Sequence, residues 1–414
     1  MKGSSPTEIS PNWTGSFAEP TPIGSGRLHI AIVISLFSPF ESGAERQARL
    51  QAERLAHLGH RVTVFTRFFQ DLPVHQTISG FSSGGKIEIR RVIRTSKRGP
   101  LFGLSYVLSL LRELFNYRHR ISVVHSHQAL WESITLGIAR VFLPCPVIIQ
   151  PASSGYDGEA QELMRTKGHG LLRRLALRNR LFASISDDIQ KEWETLGVPK
   201  KHFFSSLSGV DTKQFAPSET RSLFSDPDSV QAIFTGRLHA QKQVDLLIRA
   251  WPRVRKSVKG RLVILGDGPL RDELTRLRDS LGMTSAEIDF RGRVDDPSED
   301  LRNSDLFLLP SRAEGMSNSL LEAMSSGLAC VVSAIGGNVD LIDHQVSGFR
   351  ATESTVESWA TTIIDATRNP ELARRCGQVA RERILREHSI EAVVDRNLMI
   401  YRRAMQGSRK TNHL

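Results

Sequence analysis

The chain contains 414 residues, of which 40% are hydrophobic and 24% are charged. These values are typical of a folded globular protein with two domains of roughly 170–200 residues each. No apolar run reaches the ~18–20 residues that span a bilayer, and the first residues lack the pattern of a signal peptide, so we predict a cytoplasmic protein. Cys145, Cys330 and Cys376 are too widely separated to predict a disulfide framework or a zinc site.

The net charge of +11 comes almost entirely from the first half of the chain. Residues 1–205 contain 26 Lys and Arg against 16 Asp and Glu, whereas the rest contains 29 against 28. Two basic segments, IEIRRVI (87–93) and LLRRLAL (171–177), place Arg beside Ile and Leu. Two interpretations stay open, a solvated basic surface or a face for an anionic membrane or acceptor. Nucleic acid is not predicted as a partner, because the basic runs lack interleaved aromatic residues that could stack on bases.

Residues 1–26 are rich in Ser, Pro, Gly and Thr without periodicity, which predicts a disordered tail. Strands and helices then alternate over residues 27–207, the predicted first domain. The strands are LHIAIVIS, RVTVFT, IEIRRVI, ISVVHSH and PVIIQ, and the helices lie near 46–58, 104–116, 168–180 and within 182–197. This alternation predicts a parallel sheet that is covered on both faces.

The polar segment 208–229 is rich in Ser and Pro and predicts an interdomain linker. Alternation resumes over residues 230–387, where QAIFTG, RLVILGDG, AEIDFRG, DLFLLP and LACVVSA predict a second parallel sheet. Residues 388–405 predict a last amphipathic helix. Ligands of such sheets bind beyond the carboxyl ends of the strands. The fold class is therefore α/β, with two Rossmann-like doubly wound domains that we expect to face a central cleft.

Two carboxylates, Glu314 and Glu322, stand eight positions apart in EGMSNSLLE. The first follows the strand DLFLLP in a loop that contains Gly315, and the second lies on the next helix. The first amides of a helix have no partner within the helix and bind anions, while carboxylates accept hydrogen bonds from hydroxyl groups. A ligand with both phosphates and hydroxyls, such as a sugar nucleotide, suits this combination.

Arg237 follows a predicted strand and Lys242 opens the helix after it. Two cations at the ligand end of a sheet can stabilise the negative charge of a departing diphosphate. A Lys at a helix N-terminus opposes the helix dipole, which favours an anionic ligand over a structural role.

His125 and His127 alternate at the end of the strand ISVVHSH, and we expect their side chains to point to opposite faces. This geometry argues against a metal site. His127 is nearer the predicted cleft and is the better candidate for contact with substrate.

Taken in order, these motifs resemble those of the GT-B-fold retaining glycosyltransferases of family 4, the group 1 glycosyltransferases. The resemblance extends from residue 28 to about 405. It rests on the Glu314 and Glu322 pair, on Arg237 and Lys242, and on shorter motifs in the expected order: SGAER (42–46), VVHSH (123–127), SGVD (208–211), GDGP (266–269) and GGNVD (336–340).

The resemblance implies transfer of a hexose-type sugar, with retention and without a metal or other cofactor, from a UDP- or GDP-sugar to a glycan or lipid-linked acceptor. The C-terminal domain would hold the donor, the N-terminal domain the acceptor, and the final helix would cross back to the first domain. Polysaccharide or glycolipid synthesis at the cytoplasmic membrane face is the expected setting. The residues it implicates are His127, Glu314, Arg237 and Lys242 in catalysis, and Gly43, Val294, Gly315, Met316, Ser317 and Glu322 in substrate binding.

Two other functions stay open at this point. A nucleotide-sugar epimerase of the same fold would share the nucleotide site, and a non-catalytic protein could bind nucleotides or glycans. A dinucleotide-dependent oxidoreductase is excluded, because no G-x-G-x-x-G follows a predicted strand.

Overall fold

A computed structural model describes residues 26–40, 42–96, 100–155, 158–226 and 230–411. Apart from Gly26, the predicted disordered tail lies outside the described residues. The described chain forms two compact units. The first takes the chain up to Ile185, residues 189–207 and the residues from Arg396 onward, and the second takes Ser186–Asp188 and Ser208–Asp395. No helix within the described ranges is long and apolar enough to span a membrane.

The first unit is built on an eight-stranded sheet. Its strands are β1 (His29–Val33), β2 (Arg61–Arg67), β3 (His75–Ile78), β4 (Lys86–Ile93), β5 (Val123–Ser126), β6 (Val147–Ile149), β7 (Phe182–Ser184) and β8 (Phe203–Ser205). Their order is β3-β4-β2-β1-β5-β6-β7-β8, and only the β3–β4 pairing among these strands is antiparallel. The strand order changes direction between β1 and β5, the position where open α/β sheets bind ligands.

Helices cover the first sheet, and their apolar sides form its core. They are α1 (Gly43–His57), α2 (Pro100–Tyr117), α3 (Trp131–Ala139), α4 (Glu159–Arg165), α5 (His169–Ala176) and α6 (Asp187–Thr195). Four of them match predicted helices. The sequence missed β3, because all four of its side chains are exposed and no apolar alternation marks the strand.

Strand β4 corrects the interpretation of IEIRRVI as an accessible basic segment. The strand lies between β3 and β2, and Arg91 is only 2% exposed. Its guanidinium donates to the carbonyls of Pro73 and Ser38 and to Gln76. Arg90 pairs with Glu113 at 3.1 Å. Both guanidinium groups bind partners within the protein, so they are not available to a membrane.

The second unit is built on a six-stranded parallel sheet. Its strands are β9 (Val230–Thr235), β10 (Gly260–Leu265), β11 (Ile288–Gly292), β12 (Leu306–Leu309), β13 (Ala329–Ser333) and β14 (Phe349–Ala351), in the order β11-β10-β9-β12-β13-β14. Five of these strands were predicted, and β14 is too short to show a pattern. The order changes direction between β9 and β12, which places the expected ligand position there.

The helices of the second half follow its strands in alternation. They are α7 (Val244–Ser257), α8 (Arg271–Ser280), α9 (Ser298–Arg302), α10 (Asn318–Ser325), α11 (Gly336–Leu341), α12 (Val356–Arg368), α13 (Pro370–Arg383) and α14 (Ile390–Thr411). Helix α14 is longer than the predicted 388–405, and from Arg396 onward it belongs to the first unit. There Tyr401 is buried and hydrogen-bonds His125 at 2.7 Å, so the final helix crosses back as predicted.

Residues 208–226 of the predicted linker pack within the second unit. Phe215 and Phe224 lie in its hydrophobic core, and the carbonyl of Phe215 accepts a hydrogen bond from Ser325 at 2.7 Å. Arg221 pairs with the buried Asp305 at 2.6 Å. Two aromatic anchors within an otherwise polar segment give no periodic signal, which explains why the sequence did not predict this packing.

Candidate functional site

The loops after β9 and β12 bring two predicted catalytic residues into contact. Lys242 ends a short 3₁₀ turn after β9, and Glu314 lies in the loop after β12. The Lys242 ammonium and the Glu314 carboxylate form an ion pair, with side-chain exposures of 19% and 8%. Arg237, two residues beyond the end of β9, is exposed. The charged groups therefore gather at the point where the strand order reverses.

Two hydrogen bonds hold these two loops together. The amide of Arg312 donates to the carbonyl of Gln241 at 2.8 Å, and the Gln241 side chain donates to the carbonyl of Ala313 at 2.7 Å. Both bonds flank the Lys242–Glu314 ion pair. The pair is thus a product of neighbouring strands and tied loops, not of two flexible side chains meeting at a surface.

A glycine pair at the start of α11 supports the loop of Glu314 from the other side. The amide of Gly337 donates to the carbonyl of Glu314 at 3.3 Å. A Cβ on Gly337 would lie 1.6 Å from the carbonyl oxygen of Gly315, so only glycine permits this approach. The GGNVD motif therefore shapes the backbone at residues 314 and 315.

The GDGP motif has a similar structural function. Gly266 has φ +143°, and a Cβ there would lie 1.8 Å from the carbonyl oxygen of Gly236. This contact lets the loop after β10 lie against the loop that carries Arg237. The GDGP turn therefore supports the loop of Arg237, a candidate for phosphate binding, through backbone contact.

The predicted sugar-binding residues Gly315, Met316 and Ser317 connect Glu314 to helix α10. Ser317 caps this helix by accepting a hydrogen bond from the amide of Leu320 at 3.4 Å. The sulfur of Met316 accepts one from the amide of Ser208 at 3.4 Å, which ties the SGVD motif to this loop. The loop thus presents the N-terminus of α10 toward the ligand edge of the sheet.

Two predicted substrate-binding residues lie outside the loop of Glu314. Glu322 is in the second turn of α10, and only 4% of it is exposed. Val294 follows β11 and packs on the core of the second unit. Val294 and Glu314 both lie at the ligand edge of the sheet. They lie in different loops, because two strands separate β11 from β12.

In the first unit, His127 lies where the strand order changes direction. It follows β5, and its amide donates to the carbonyl of Val33 at the end of β1, at 3.0 Å. Its side chain is 1% exposed, and both ring nitrogens lack a hydrogen-bond partner among the described residues. Burial, and secondarily His125, hold the pKa of His127 well below its usual range, so the ring is neutral. Buried polar groups are rarely left unpaired, which suggests a place for a ligand hydroxyl.

The prediction that His125 and His127 point to opposite faces is wrong. Their ring centroids are 4.6 Å apart, with an interplanar angle of 34°. Side chains two positions apart in an extended segment lie on the same face, so the period of two places His127 beside His125. His125 is bonded to Tyr401 at 2.7 Å and to Gln150 at 3.1 Å, and burial lowers its pKa to about 4.

Two buried carboxylates on the helices that follow β5 and β6 were missed by the sequence analysis. Glu159 accepts hydrogen bonds from the amides of Ala129 at 2.8 Å and Ala152 at 2.6 Å, and burial raises its pKa to about 8. It thereby holds the loop that follows His127. Glu132 accepts from Tyr106 at 2.6 Å, and burial raises its pKa as well. In the sequence each is an acidic residue at a helix start, which gives no sign of burial.

Gly43, another predicted substrate-binding residue, is exposed and begins helix α1. The loop from β1 to α1 leads to it, so it lies at the ligand edge of the first sheet. A role in substrate binding stays a prediction. Within the described ranges, no three His, Cys, Asp or Glu side chains are grouped as a metal site requires.

Comparisons with known proteins match both halves of the chain. The sequence model described as "Glycosyltransferase Family 4" matches residues 42–214, and the one described as "Glycosyl transferases group 1" matches residues 229–369. An uncharacterized glycosyltransferase of Methanocaldococcus jannaschii is 29% identical over 372 residues, which cover 86% of this chain and 93% of that protein.

A relative that covers less of the chain has a more specific description. UDP-Gal:alpha-D-GlcNAc-diphosphoundecaprenol alpha-1,3-galactosyltransferase of Escherichia coli is 29% identical over 170 residues, 39% of this chain and 44% of that protein. The crystal structure of Anabaena HepE in complex with UDP and glucose matches with a TM-score of 0.70 at 16% identity, over 90% of this chain and 99% of that one. This likeness shows the fold, and the two parallel-sheet α/β units are those of the GT-B fold, as predicted.

Proposed function

The chain belongs to the group 1, family 4 glycosyltransferases, and from this membership we propose that it moves a hexose-type sugar from a UDP- or GDP-sugar to a glycan or lipid-linked acceptor. The UDP and glucose held by Anabaena HepE support a nucleotide-sugar donor. The undecaprenyl diphosphate acceptor in the name of the Escherichia coli relative supports a lipid-linked acceptor.

The observation that carries this proposal is the Lys242–Glu314 ion pair beside Arg237, at the strand reversal of the second sheet. Donor phosphates would bind Arg237 and Lys242 and compete with Glu314 for the lysine. The freed carboxylate would then accept hydrogen bonds from hydroxyl groups of the sugar, and charge-assisted bonds of this kind are strong. The amides of Gly315, Met316 and Ser317 would contact the same sugar, and Glu322 the ribose.

We propose that the transfer retains configuration by displacement on one face of the sugar. The bond from the anomeric carbon to the diphosphate oxygen breaks while the acceptor oxygen bonds to the same face, and the acceptor proton passes to the leaving diphosphate. Arg237 and Lys242 stabilise the charge that develops on that diphosphate, so no metal is required. His127, neutral and with unpaired ring nitrogens, bonds a hydroxyl of the donor sugar.

The proposed setting is the cytoplasmic face of a membrane, in polysaccharide or glycolipid synthesis. A lipid-linked acceptor would bring the enzyme into peripheral contact with that membrane. The excess positive charge lies in the first half of the chain, the half proposed to bind acceptor, which supports contact with anionic headgroups.

The test is a panel of UDP- and GDP-sugars, in which slow hydrolysis of one donor is followed with and without EDTA. We expect one or a few donors to release nucleoside diphosphate, unaffected by the chelator. Initial release of the sugar as the same anomer as in the donor supports retention. An epimerised sugar nucleotide would support the epimerase instead, and no turnover with any donor or acceptor would support a binding protein. Loss of turnover with EDTA would contradict the metal-independent reaction.

A further inference from the structure

Helix α2 is apolar on two opposite sides. Its inner side packs into the core of the first unit through Tyr106, Leu110 and Leu114, all 0% exposed. Its outer side carries a second set of large apolar residues, which we call the α2 row: Leu101, Leu104, Leu108 and Phe115, which are 65%, 55%, 58% and 47% exposed. The outer side of a helix in a globular protein is normally polar. The exposed Arg112 lies on the same side between Leu108 and Phe115, so the α2 row is interrupted by one cation. Four large exposed apolar residues on one side of a helix indicate a surface that binds something.

The α2 row is about 21 Å long, because fourteen residues separate Leu101 from Phe115 and each adds about 1.5 Å. It continues beyond the helix. The ring of Phe115 packs on that of Phe142, with centroids 5.4 Å apart. Val141, next to Phe142 in sequence, is 75% exposed. The row therefore runs along α2 and on to the segment that follows α3.

Three arginines lie beside the Phe115 end of this row. Arg140 directly precedes Val141, and the pKa of its guanidinium is lowered by burial and then by the positive charges of Arg180 and Arg178. We call these three the arginine cluster. Helix α3 packs on the segment that carries Arg178 and Arg180, since Asn179 donates to the carbonyl of Ser133 at 2.8 Å. In the part of the chain that the structure describes, no carboxylate forms an ion pair with any of the three.

We propose that the α2 row and the arginine cluster together form a docking surface for an anionic lipid bilayer. This inference rests on the proposed function, in which a lipid-linked acceptor places the enzyme at a membrane. Leucine and phenylalanine side chains enter the boundary between headgroups and acyl chains, while guanidinium groups stay among the phosphates. The negative charge of the lipid offsets the repulsion within the cluster.

Charge distinguishes the bilayer from a second copy of this chain. A two-fold dimer through this face would bring the same patch of each subunit together. The patch contains arginines but no carboxylate, so such a dimer would bring both arginine clusters to the interface without a negative charge from the facing patch. An anionic surface provides the opposite charge across the whole patch, so the bilayer is the occupant that the residues favour.

The experiment is sedimentation of the full chain with vesicles of phosphatidylcholine, alone or mixed with phosphatidylglycerol. We expect binding to the mixed vesicles that weakens with added salt, and little binding to phosphatidylcholine alone. Leu104→Glu combined with Leu108→Glu should lower the bound fraction by about tenfold or more, because it places charge where apolar side chains insert. Changing Arg140, Arg178 and Arg180 each to Gln should lower affinity by about fivefold per residue and flatten the salt dependence.

Leu385→Glu is the matched control, because Leu385 is also an exposed leucine, at 46%, and lies outside the row. It should bind vesicles as the unchanged protein does. All the substituted leucines are exposed, so thermal melting should show folded variants in each case. Vesicle binding by the Leu104→Glu, Leu108→Glu variant equal to that of the unchanged protein would refute the proposal.

Donor hydrolysis by the same proteins separates this inference from the proposed function. Loss of vesicle binding with hydrolysis of a sugar nucleotide intact is the expected result for the row variant. If the unchanged protein hydrolyses donor but ignores mixed vesicles at low salt, the docking surface is wrong and the transferase stands. If the unchanged protein binds mixed vesicles as expected but turns over no donor or acceptor, the docking surface stands and the transferase proposal is wrong. The unchanged protein could instead form a dimer by light scattering and bind no vesicles. If the row variant abolished that dimer, the surface would be assigned to a second copy of the chain.

Discussion

The two sheets present different chemistry at equivalent positions, the points where their strand order changes direction. In the second unit this position holds an ion pair, Lys242 with Glu314, and the exposed Arg237. In the first unit it holds His127, which is neutral, 1% exposed and unpaired among the described residues. We propose that the site of the second unit acts through charge and that His127 of the first unit acts through hydrogen bonds from a buried position.

This difference predicts that substitutions in the two units will affect different steps. Charged groups of the second unit should control the affinity for nucleoside diphosphate, because phosphates carry the ligand's charge. His127 should affect transfer while leaving nucleotide affinity nearly unchanged. The comparison would fail if a His127 variant changed nucleotide affinity, or if a variant of the charged residues changed transfer without changing nucleotide affinity.

The largest effect is expected for Glu314→Gln, which keeps the shape of the side chain but removes its charge. A hydrogen bond to a charged group contributes about 1.5–3 kcal/mol, so transfer should fall by roughly 10- to 150-fold. Affinity for UDP or GDP should be retained or improved, since a negative charge beside the phosphates is lost. Turnover with saturating donor and acceptor is the measurement, with the exposed Glu353→Gln as control. Turnover near that of the control would remove Glu314 from the site.

Lys242→Ala and Arg237→Ala should each weaken binding of the nucleoside diphosphate by about 3- to 30-fold, because both cations are partly exposed. Lys242→Ala should cost more, since it also leaves Glu314 without its ion-pair partner, close to the phosphates. Titration calorimetry with UDP and GDP measures both. Adding Glu314→Gln to Lys242→Ala should recover part of the affinity. Equal effects of the two alanine variants, without recovery, would show that the ion pair does not influence the phosphates.

A smaller effect is expected for His127→Ala, which removes a neutral hydrogen bond of about 0.5–1.5 kcal/mol, equivalent to roughly 2- to 13-fold in transfer. The ordinary cost of a cavity should appear as a lower melting temperature. His127→Asn is the companion variant, because its side chain can also donate and accept hydrogen bonds. It should restore part of the transfer rate. Weakened binding of UDP or GDP in either variant would contradict a role confined to the sugar.

The smallest effect concerns stability and Glu159, whose pKa burial raises from 4.5 to about 8. The folded chain retains a proton that the unfolded chain loses across this range, so this contribution to stability declines as pH rises from 4.5 to 8. His125 acts in the opposite direction, but only between pH 4 and 6.5. From pH 6.5 to 8 the unchanged protein should therefore lose stability relative to Glu159→Gln, by at most about 1.4 kcal/mol per pH unit.

Urea unfolding midpoints at both pH values, for both proteins, measure this difference. Glutamine is neutral throughout and keeps one acceptor oxygen for the amide of Ala129 or Ala152. Parallel pH profiles for the two proteins would show that Glu159 does not titrate in this window. If Glu159→Gln changed the rate of transfer but not the stability, the effect of Glu159 would instead lie in the position of the loop that follows His127.

The sequence by itself determined the fold class and was enough to predict the charged residues of the candidate site. Apolar runs at strand spacing, separated by helical patterns, indicate parallel sheets, and the residues after each strand then lie at the ligand edge. Glu314, Arg237 and Lys242 could be predicted as site residues because they lie in the segments that follow such runs. The pairing of Lys242 with Glu314 needed the tertiary structure, since the contact depends on β9 and β12 being neighbours.

Two basic segments of similar composition show what only the tertiary structure decided. In IEIRRVI, Arg91 is buried on an internal strand and its two terminal nitrogens donate to three acceptors, whereas in LLRRLAL Arg174 is exposed on helix α5. Local pattern gives the spacing of side chains along an element but not which neighbours cover them. The same limit hid the burial of Glu159 and the exposure of the α2 row. Each depends on residues distant in sequence, which packing alone brings together.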